Sequence, residues 1–462
     1  MTEIENDYST KKSICYSFAG FTDVIAFQFF SFLIFTFYYA VVGLNVNLIT
    51  IAFIIWSLWN AINDPLLGAL SDRTMTKWGR RKPYIIAGIY PLCIVIVLLW
   101  IPPMGSQLII FAYFLIIIII WEFFYTMWGL NQTALFPEMF RNLEERTKAN
   151  AWIQFFQIIA LMIAFILPSF FIPKYDDPKY IRNYLFAGIA IAIICAIFAT
   201  IFIKFGLKER VEFSKDSEKA PSFIQSLKYT LGNKSFRISL LGEFALWFAF
   251  GMIPTIVPLY GSFVLGIDNS LVLSLLLATG FLSAAIFVFT WRYLIKKVGA
   301  KKAFILAIII LIATLSPFMF ISDAFSAFVA FFLLGIGLAG ALIVRDVVIS
   351  IVVDEDELKT GIRREGSFYG VNGFVAKLTN VFVFISIAII FNSVGWAVFD
   401  PKGTTENTIL GLRALMFIFP AIVLLIGLIA MLYFPITKEK YTQITKEAQK
   451  LHLEKKEKIL KS

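Results

Sequence analysis

Three polar residues, Asn60, Asn63 and Asp64, stand directly before Pro65 in an otherwise apolar stretch. Residues four apart share one face of a helix, so Asn60 and Asp64 direct oxygen atoms toward one point. Pro65 has no backbone donor and disfavours helical geometry at the preceding residue, which should leave carbonyl oxygens available. Carboxylate, amide and carbonyl oxygens suit a sodium ion, and a buried carboxylate suits a proton. The pattern predicts a cation site, with a kinked, polar-packed helix as the alternative.

Further charged residues interrupt the apolar stretches, where each costs at least about 2.5–3.5 kcal/mol. These residues are Asp23, Glu122, Glu243, Arg345, Asp346 and Lys377. Lys377 lies too deep in its stretch to reach water easily, so we expect it to have a bound anion or a carboxylate partner such as Asp64 or Asp23. A mobile cation that competes with Lys377 for Asp64 would couple the two charges. A permanent Asp–Lys brace is the alternative.

The other charges are candidates for substrate binding. Asp23 follows a glycine-containing turn and is a candidate to accept hydrogen bonds from sugar hydroxyls, with nearby aromatic residues such as Trp128 as stacking faces. Glu122 is a second candidate for contact with substrate. Arg345 is suited to pair with an acidic substrate or with an acidic neighbour. Since the chain holds 50 phenylalanines, any single aromatic side chain is more often a core or lipid contact.

Long apolar helices must position these residues. The 462-residue chain is 59% hydrophobic and 16% charged, and its repeated apolar runs of eighteen or more residues are long enough to cross a ~30 Å hydrocarbon core. We predict an all-α integral membrane protein with twelve spans, at residues 17–42, 48–70, 83–101, 107–132, 149–171, 182–206, 237–264, 271–292, 303–321, 325–351, 366–395 and 411–434. They form two six-helix halves, 17–206 and 237–434. The remaining segments are an N-terminus (1–16), an inter-half loop (207–236) and a C-terminal tail (435–462).

Lysine and arginine placement predicts the orientation. Most of the 41 basic residues fall on the side of the N-terminus, which indicates a multi-pass plasma-membrane protein with both termini in the cytoplasm. The net charge of +10 follows from this bias and from attraction to anionic lipid at the inner surface. No segment outside the membrane is large enough to bind nucleic acid, so the expected partners are membrane lipid and a small solute.

The residue inventory argues against catalysis. The only histidine, His452, lies in the polar tail, so a Cys–His or Ser–His pair within the membrane is excluded. The three cysteines, Cys15, Cys93 and Cys195, have no metal-ligand spacing and are predicted to be small buried apolar residues. No glycine-rich phosphate loop with lysine occurs. We expect neither an enzyme nor a cofactor, and no metal beyond a coupling sodium ion.

The most specific motif is the run from Asn63 to Pro83, NDPLLGALSDRTMTKWGRRKP. Its core resembles the loop after helix two of the major facilitator superfamily. The preceding Asn-Asp-Pro and the long spacing before Gly79 are similar to the glycoside–pentoside–hexuronide:cation symporters, the family of the melibiose carrier. LFPEM at 135–139 and DEDELKTGIRREG at 354–366 agree in the same order. The resemblance runs from about Tyr16 to Tyr433 and implies the major facilitator fold.

The resemblance implies roles for individual residues. It assigns the cation site to Asn60, Asn63, Asp64 and Thr126, with Lys377 nearby as the coupling residue. It assigns the cytoplasmic gate to Asp72, Arg73, Arg80, Arg81, Arg363 and Arg364. Asn60 departs from the melibiose carrier, which has a second aspartate there; this departure weakens the case for sodium and leaves a proton as a strong competitor. The carrier's sugar site is not intact either, because Gly129, Thr133 and Gln154 replace its aspartate, tryptophan and arginine; Glu122 is a candidate replacement for that aspartate.

These observations together predict a secondary active transporter. The expected activity is H⁺- or Na⁺-coupled symport of a sugar, glycoside or uronide by alternating access, in a protein that works as a monomer. Transport of a lysolipid or another organic solute, or uncoupled facilitation, is the nearest alternative. A membrane sensor or scaffold is the non-transport alternative, although it would usually carry a sizeable soluble output domain.

Overall fold

The computed structural model describes residues 10–74, 76–140, 143–208, 223–361 and 364–461, and within these ranges the secondary structure is helical. The first six α-helices are α1 Thr10–Thr36, α2 Val46–Arg73, α3 Lys82–Leu98, α4 Gln107–Met139, α5 Leu143–Ile166 and α6 Ile181–Ile201. The next five are α7 Phe223–Gly232, α8 Lys234–Phe263, α9 Ser270–Val298, α10 Ala300–Leu315 and α11 Ala324–Thr360. The last four are α12 Glu365–Ser393, α13 Glu406–Met416, α14 Ile418–Leu432 and α15 Lys438–Lys461.

The helices match the twelve predicted spans. Eleven helical segments in the described part of the chain are long and apolar enough to cross a membrane, with α13 and α14 together forming one of them. The twelfth, α3, is apolar but has 17 residues, which gives a length of about 25 Å. The prediction of an all-α, twelve-helix membrane protein is therefore confirmed.

Side-chain caps fix where several helices begin. Asn45 accepts a hydrogen bond from the Asn47 N–H at the start of α2, and Asp323 accepts one from the Ser326 N–H at the start of α11. Thr405 and Thr408 form a reciprocal capping box at the start of α13. Such caps satisfy backbone donors that have no partner inside the helix.

Two polar segments contain helices. The region predicted as the inter-half loop includes α7, and Asn233 separates α7 from α8 by accepting a hydrogen bond from the Phe236 N–H at 3.1 Å. The C-terminal tail forms α15. Lys440 of α15 donates to Glu355 of α11 at 2.8 Å, which holds this helix against the end of α11.

The chain divides into two compact units. One unit contains α1–α6 together with the segments Asp268–Leu275 and Ala397–Pro401, and the other contains the remainder of α7–α15. Close helix packing in the first unit depends on Gly88 of α3, where a Cβ would lie 2.9 Å from the Trp128 backbone nitrogen of α4. In the second unit Gly335 of α11 has the same role, since a Cβ would lie 2.4 Å from the Gly280 carbonyl oxygen of α9. The three cysteines are buried and free, as predicted.

Candidate cation-binding site

The polar residues of α2 lie opposite those of α4. Asn60, Asn63 and Asp64 are within the helical span of α2, which continues to Arg73 without a break. The expectation that Pro65 disturbs helical geometry at Asp64 is therefore wrong. Proline removes only one intrahelical hydrogen bond, and packing of α2 against α4 keeps the rest of the helix regular. The carbonyl of Ala61 nevertheless loses its usual donor, because Pro65 has no N–H.

Two carboxylates from different helices meet at one hydroxyl group. The Thr126 Oγ1 lies 3.0 Å from Asp64 Oδ1 and 3.2 Å from Glu122 Oε1. The Asn60 Nδ2 also donates to Glu122 Oε1, at 2.7 Å. A threonine hydroxyl has one proton to donate, so it cannot satisfy both carboxylates at the same time. The carboxylates of Asp64 and Glu122 therefore present more acceptor oxygens than the one Thr126 hydroxyl proton can hydrogen-bond.

Asp64 is partly buried, and the other residues of this cluster lie in the interior of the first unit. The relative exposure is 2% for Asn60, 0% for Asn63, 1% for Glu122 and 4% for Thr126. The Asn63 Nδ2 faces the Glu122 backbone carbonyl at 3.4 Å, whereas its Oδ1 has no hydrogen-bond partner among the residues described. A buried amide oxygen in this position is available as a further ligand for a cation.

Glu122 joins the predicted cation-site residues, although the sequence had suggested it for substrate binding. The structure brings its carboxylate beside Asn60, at the position where a second charge is lacking. The sequence signal was the spacing of Glu122 and Thr126, which are four residues apart on one face of α4. That spacing was not used because it does not tell which neighbouring helix the face contacts.

Asp23 lies on α1 beside the same region of α4. Its Oδ1 is 3.1 Å from the point where a Cβ on Gly129 would be, so glycine makes room for this carboxylate. The Tyr125 hydroxyl is hydrogen-bonded to Asp23 and also lies close to Glu122 and Asp64. The Tyr125 ring stacks on Trp121 with a centroid distance of 4.7 Å and an interplanar angle of 9°. A carboxylate next to stacked aromatic rings is a chemically suitable surface for a sugar.

Other predicted substrate residues lie elsewhere. Trp128 is fully buried against the ring of Phe202, with a centroid distance of 5.6 Å, so its ring face is covered in this conformation. Gln154 is exposed on α5. In the second unit, Lys377 is half-buried on α12, and the Arg345 guanidinium of α11 lies over the Trp247 ring.

The predicted gate residues are only partly defined. The side chains of Asp72 and Arg73, and residue Arg363, lie outside the described part of the structure. Arg80 and Arg81 are each 9% exposed at the start of α3. Arg364 forms a bidentate pair with Asp356, with N–O distances between 2.8 and 3.0 Å, and its guanidinium lies 5.0 Å from the Tyr229 ring centroid.

Solved structures share this fold. The nucleoside transporter NupG, as its D323A mutant, superposes with a TM-score of 0.68 over 92% of this chain and 100% of that chain, at 14% identity. The fold is thus that of the major facilitator superfamily, and the protein is an integral membrane transporter and not an enzyme.

The family follows from the sequence comparison. The chain belongs to the MFS/sugar transport protein family, whose profile matches residues 15–438. It is 23% identical to the uncharacterized symporter sll1374 of Synechocystis, over 96% of both chains. It is 22% identical to sodium-dependent lysophosphatidylcholine symporter 1 of Xenopus tropicalis, over 85% of this chain and 81% of that one.

Proposed function

We propose that this protein is a cation-coupled symporter of a sugar, glycoside or uronide, of the glycoside–pentoside–hexuronide type. It works by alternating access as a monomer in the plasma membrane, with both termini in the cytoplasm. The observation that carries the proposal is the convergence of Asp64 and Glu122 on the Thr126 hydroxyl, at 3.0 and 3.2 Å. Two carboxylates this close, Glu122 buried and Asp64 partly buried, favour binding of a positive charge.

The size of the repulsion supports a bound cation. The carboxylate oxygens of Asp64 and Glu122 that contact Thr126 are at most about 6 Å apart, and two full charges at that distance repel by roughly 3 kcal/mol at an effective dielectric of 20. A sodium ion or a proton removes this cost. Hydroxyl and amide oxygens from Thr126 and Asn63 add neutral ligands of the type that hard cations prefer. We therefore place sodium first and keep the proton as the competing ion.

A sugar is the preferred solute. The partly exposed Tyr125 ring offers an apolar face, with Trp121 stacked behind it, and Asp23 offers a hydrogen-bond acceptor; together they match the two surfaces of a sugar ring. The family's description as sugar transport proteins supports the same class. A lysolipid is the second candidate, because a relative is a sodium-dependent lysophosphatidylcholine symporter by name.

Coupling and gating are part of the same proposal. Lys377 links cation binding to substrate binding. Asp72, Arg73, Arg80, Arg81, Arg363 and Arg364 form the cytoplasmic gate. The bidentate Arg364–Asp356 pair supports a gating role, since such a pair is geometrically specific and is broken as a unit.

The test combines ligand binding with transport. The thermal unfolding midpoint of the purified protein is measured against sugars, glycosides, uronides and lysolipids, with and without sodium, at two pH values. A ligand that binds only the folded state raises this midpoint in a concentration-dependent way. Uptake of the best ligand into proteoliposomes is then measured under a sodium gradient and under a proton gradient.

Matched acid-to-amide variants make the result specific. Asp64→Asn is expected to abolish both the ion-dependent midpoint shift and ion-driven uptake. Glu406→Gln is the control, because Glu406 is an exposed carboxylate at the start of α13. Uptake that is indifferent to both ions and to Asp64→Asn would refute coupling, and a response to lysolipids alone would replace the sugar assignment.

A further inference from the structure

The second unit contains a buried carboxylate that the proposed cation site does not use. Glu243 on α8 has 0% exposure, and neither carboxylate oxygen has a hydrogen-bond partner in the described residues. A buried carboxylate in its charged form normally accepts several hydrogen bonds, because its desolvation is otherwise uncompensated. An unbonded carboxylate at 0% exposure therefore calls for a proton or a movable counter-ion.

A movable counter-ion lies next to it. The Arg345 guanidinium of α11 is 4.4 Å from the ring centroid of Trp247, which is one helical turn from Glu243. The Arg345 Nε is buried without a hydrogen bond and lies 3.5 Å from Asp346 Oδ1, beyond good hydrogen-bond distance. The cation–π contact with Trp247 thus holds this arginine in a 3.5 Å ion pair with Asp346 and near the Glu243 carboxylate.

The second carboxylate has access to water. The Asp346 side chain is 64% exposed, although the residue is far from both ends of the membrane-spanning helix α11. A carboxylate at that depth must face a water-filled cavity and not lipid. Glu243, Arg345 and Asp346 therefore connect a buried carboxylate to water through one guanidinium.

The charge balance of this trio is incomplete. One guanidinium cannot neutralise two carboxylates, so the ionised trio carries a net negative charge, and Glu243 bears its part of that charge at 0% exposure. The charged groups that act on Glu243 are Arg345 and Asp346. Uptake of one proton makes the trio neutral, and Glu243 is the carboxylate that gains most from it, because Asp346 is solvated.

Other helices packed on α8 also bear titratable groups. α12 carries Lys377 and Tyr369, α13 carries Glu406 and Arg413, and α7 carries Lys228 and Tyr229, whereas α14 has no titratable side chain. Arg413 donates to the Met319 carbonyl and to Ser322 Oγ. Glu406 is exposed. Of these groups Lys377 is the one in the interior of a neighbouring span. Its charge is therefore the first alternative to Arg345 to be tested as an influence on the proton affinity of Glu243.

We propose that Glu243 is a proton-binding site in the C-terminal half, with Arg345 as its exchangeable counter-ion. In the protonated state, Glu243 is neutral and Arg345 rests on Trp247 beside Asp346. On deprotonation the carboxyl O–H bond breaks, the proton passes to cavity water, and Arg345 moves to pair with the Glu243 carboxylate. The arginine stays charged throughout. This site goes beyond the proposed function, since it does not depend on the ion that binds at Asp64.

Infrared difference spectroscopy tests the site without transport. The full-length protein in liposomes without sodium is titrated across the neutral pH range, and the C=O stretch of a protonated carboxylic acid is followed. The band is expected in the wild type, absent in Glu243→Gln and retained in Asp64→Asn. Loss of the band in Asp64→Asn together with its persistence in Glu243→Gln would overturn the proposal, as would its absence from the wild type.

Two further variants separate proton binding from folding. Glu243→Asp keeps a carboxylic acid and is expected to keep a band at a shifted frequency, so it covers the case in which Glu243→Gln does not fold. Arg345→Gln removes the cation that stabilises the Glu243 carboxylate and is expected to raise proton affinity about tenfold or more. An unchanged midpoint in Arg345→Gln would refute the counter-ion role. An equal rise of the titration midpoint in Lys377→Gln would show that Lys377, and not Arg345, is the counter-ion.

Discussion

The two halves contain carboxylate clusters of opposite character. In the first unit, Glu122 accepts a hydrogen bond from the neutral Asn60 amide, and the one Thr126 hydroxyl proton has Glu122 and Asp64 as alternative acceptors. In the second unit, Glu243 accepts none in the described residues, and an arginine lies beside it. Hydrogen bonds from neutral donors favour the charged form of a carboxylate, whereas burial without them favours the neutral form.

This difference distinguishes the proposed site for an added cation from the proposed site for a proton. Neutral donors and a buried amide oxygen arrange ligands around negative charge without neutralising it, so an added positive charge would complete the proposed site at Asp64 and Glu122. The cluster at Glu243 holds a fixed positive charge in Arg345, which leaves room for a proton and not for a metal ion. In these two proposals, carboxylates bind different ions because their neighbouring residues differ.

The largest expected effect is a loss of sodium affinity when Glu122, the second carboxylate of the proposed cation site, is substituted. Glu122→Gln removes one of two charges and should weaken sodium binding about 100-fold, or ~2.7 kcal/mol. Asn60→Asp in that background restores a carboxylate on the facing helix and should recover affinity to within about tenfold. Isothermal titration with sodium measures each step. Because Asn60 Nδ2 contacts Glu122 Oε1 directly, the two substitutions should be strongly non-additive.

A second buried asparagine provides the control for that rescue. Asn131 is 0% exposed on α4 and donates to the Met127 carbonyl of its own helix at 2.9 Å. Asn131→Asp in the Glu122→Gln background also adds a buried carboxylate, but away from Asn60. If Asn131→Asp restored sodium affinity, or if Asn60→Asp did not, then a carboxylate beside Asn60 would not be what sodium binding requires.

The sequence predicted the membrane-spanning helices well and the residues at which they begin and end less well. Apolar run lengths predicted all twelve spans, because the cost of exposing the backbone to lipid leaves few other structures. The first span was placed at residue 17, yet α1 begins at Thr10. Ser13 and Ser17 are buried in it, and the Ser17 hydroxyl donates to the Ser13 carbonyl inside the helix, so hydropathy underestimates the length of the helix.

The candidate site was predictable within one helix and not between helices. The spacing of Asn60 and Asp64 defined a polar face of α2 from sequence alone. The contact of Glu122 with Asn60 depends on how α2 packs against α4, which local spacing does not determine. The Glu243–Arg345–Asp346 group shows the same limit, since each charge was visible in the sequence but their proximity is a product of α8–α11 packing.

A smaller effect, on the proton affinity of Glu243, is expected from substitutions of Trp247, whose ring contacts Arg345. Trp247→Leu removes the cation–π contact, worth about 0.5–2 kcal/mol, and frees Arg345 to pair with Glu243. The proton affinity of Glu243 should then fall several-fold in the infrared titration. Trp247→Phe keeps a weaker ring and should shift the midpoint less. A midpoint that rises, or that shifts equally in both variants, would contradict stacking as the restraint on Arg345.

The smallest effect is expected from an ion pair outside the membrane spans, where solvent weakens both partners. Lys174 donates to Asp268, and their side chains are 32% and 77% exposed. Burial alone would lower the pKa of Lys174, but the hydrogen bond and the charge of Asp268, together with Asp176 and Asp177, raise it above its ordinary value. The stabilisation is therefore fully present below the unfolded-state pKa of ~10.4 and is lost as the pH rises through the folded-state value.

Asp268→Asn should consequently lower the free energy of unfolding by less than about 1 kcal/mol, with no change across the neutral range. The coupling is measured by a double-mutant cycle with Lys174→Met in denaturant titrations at two salt concentrations. Because the pair is exposed, the coupling energy should shrink at high salt, unlike any coupling between Asn60 and Glu122 in the buried cluster. A large coupling energy that does not change with salt would contradict the prediction that solvent exposure makes the Lys174–Asp268 pair weaker than the interactions in the buried clusters.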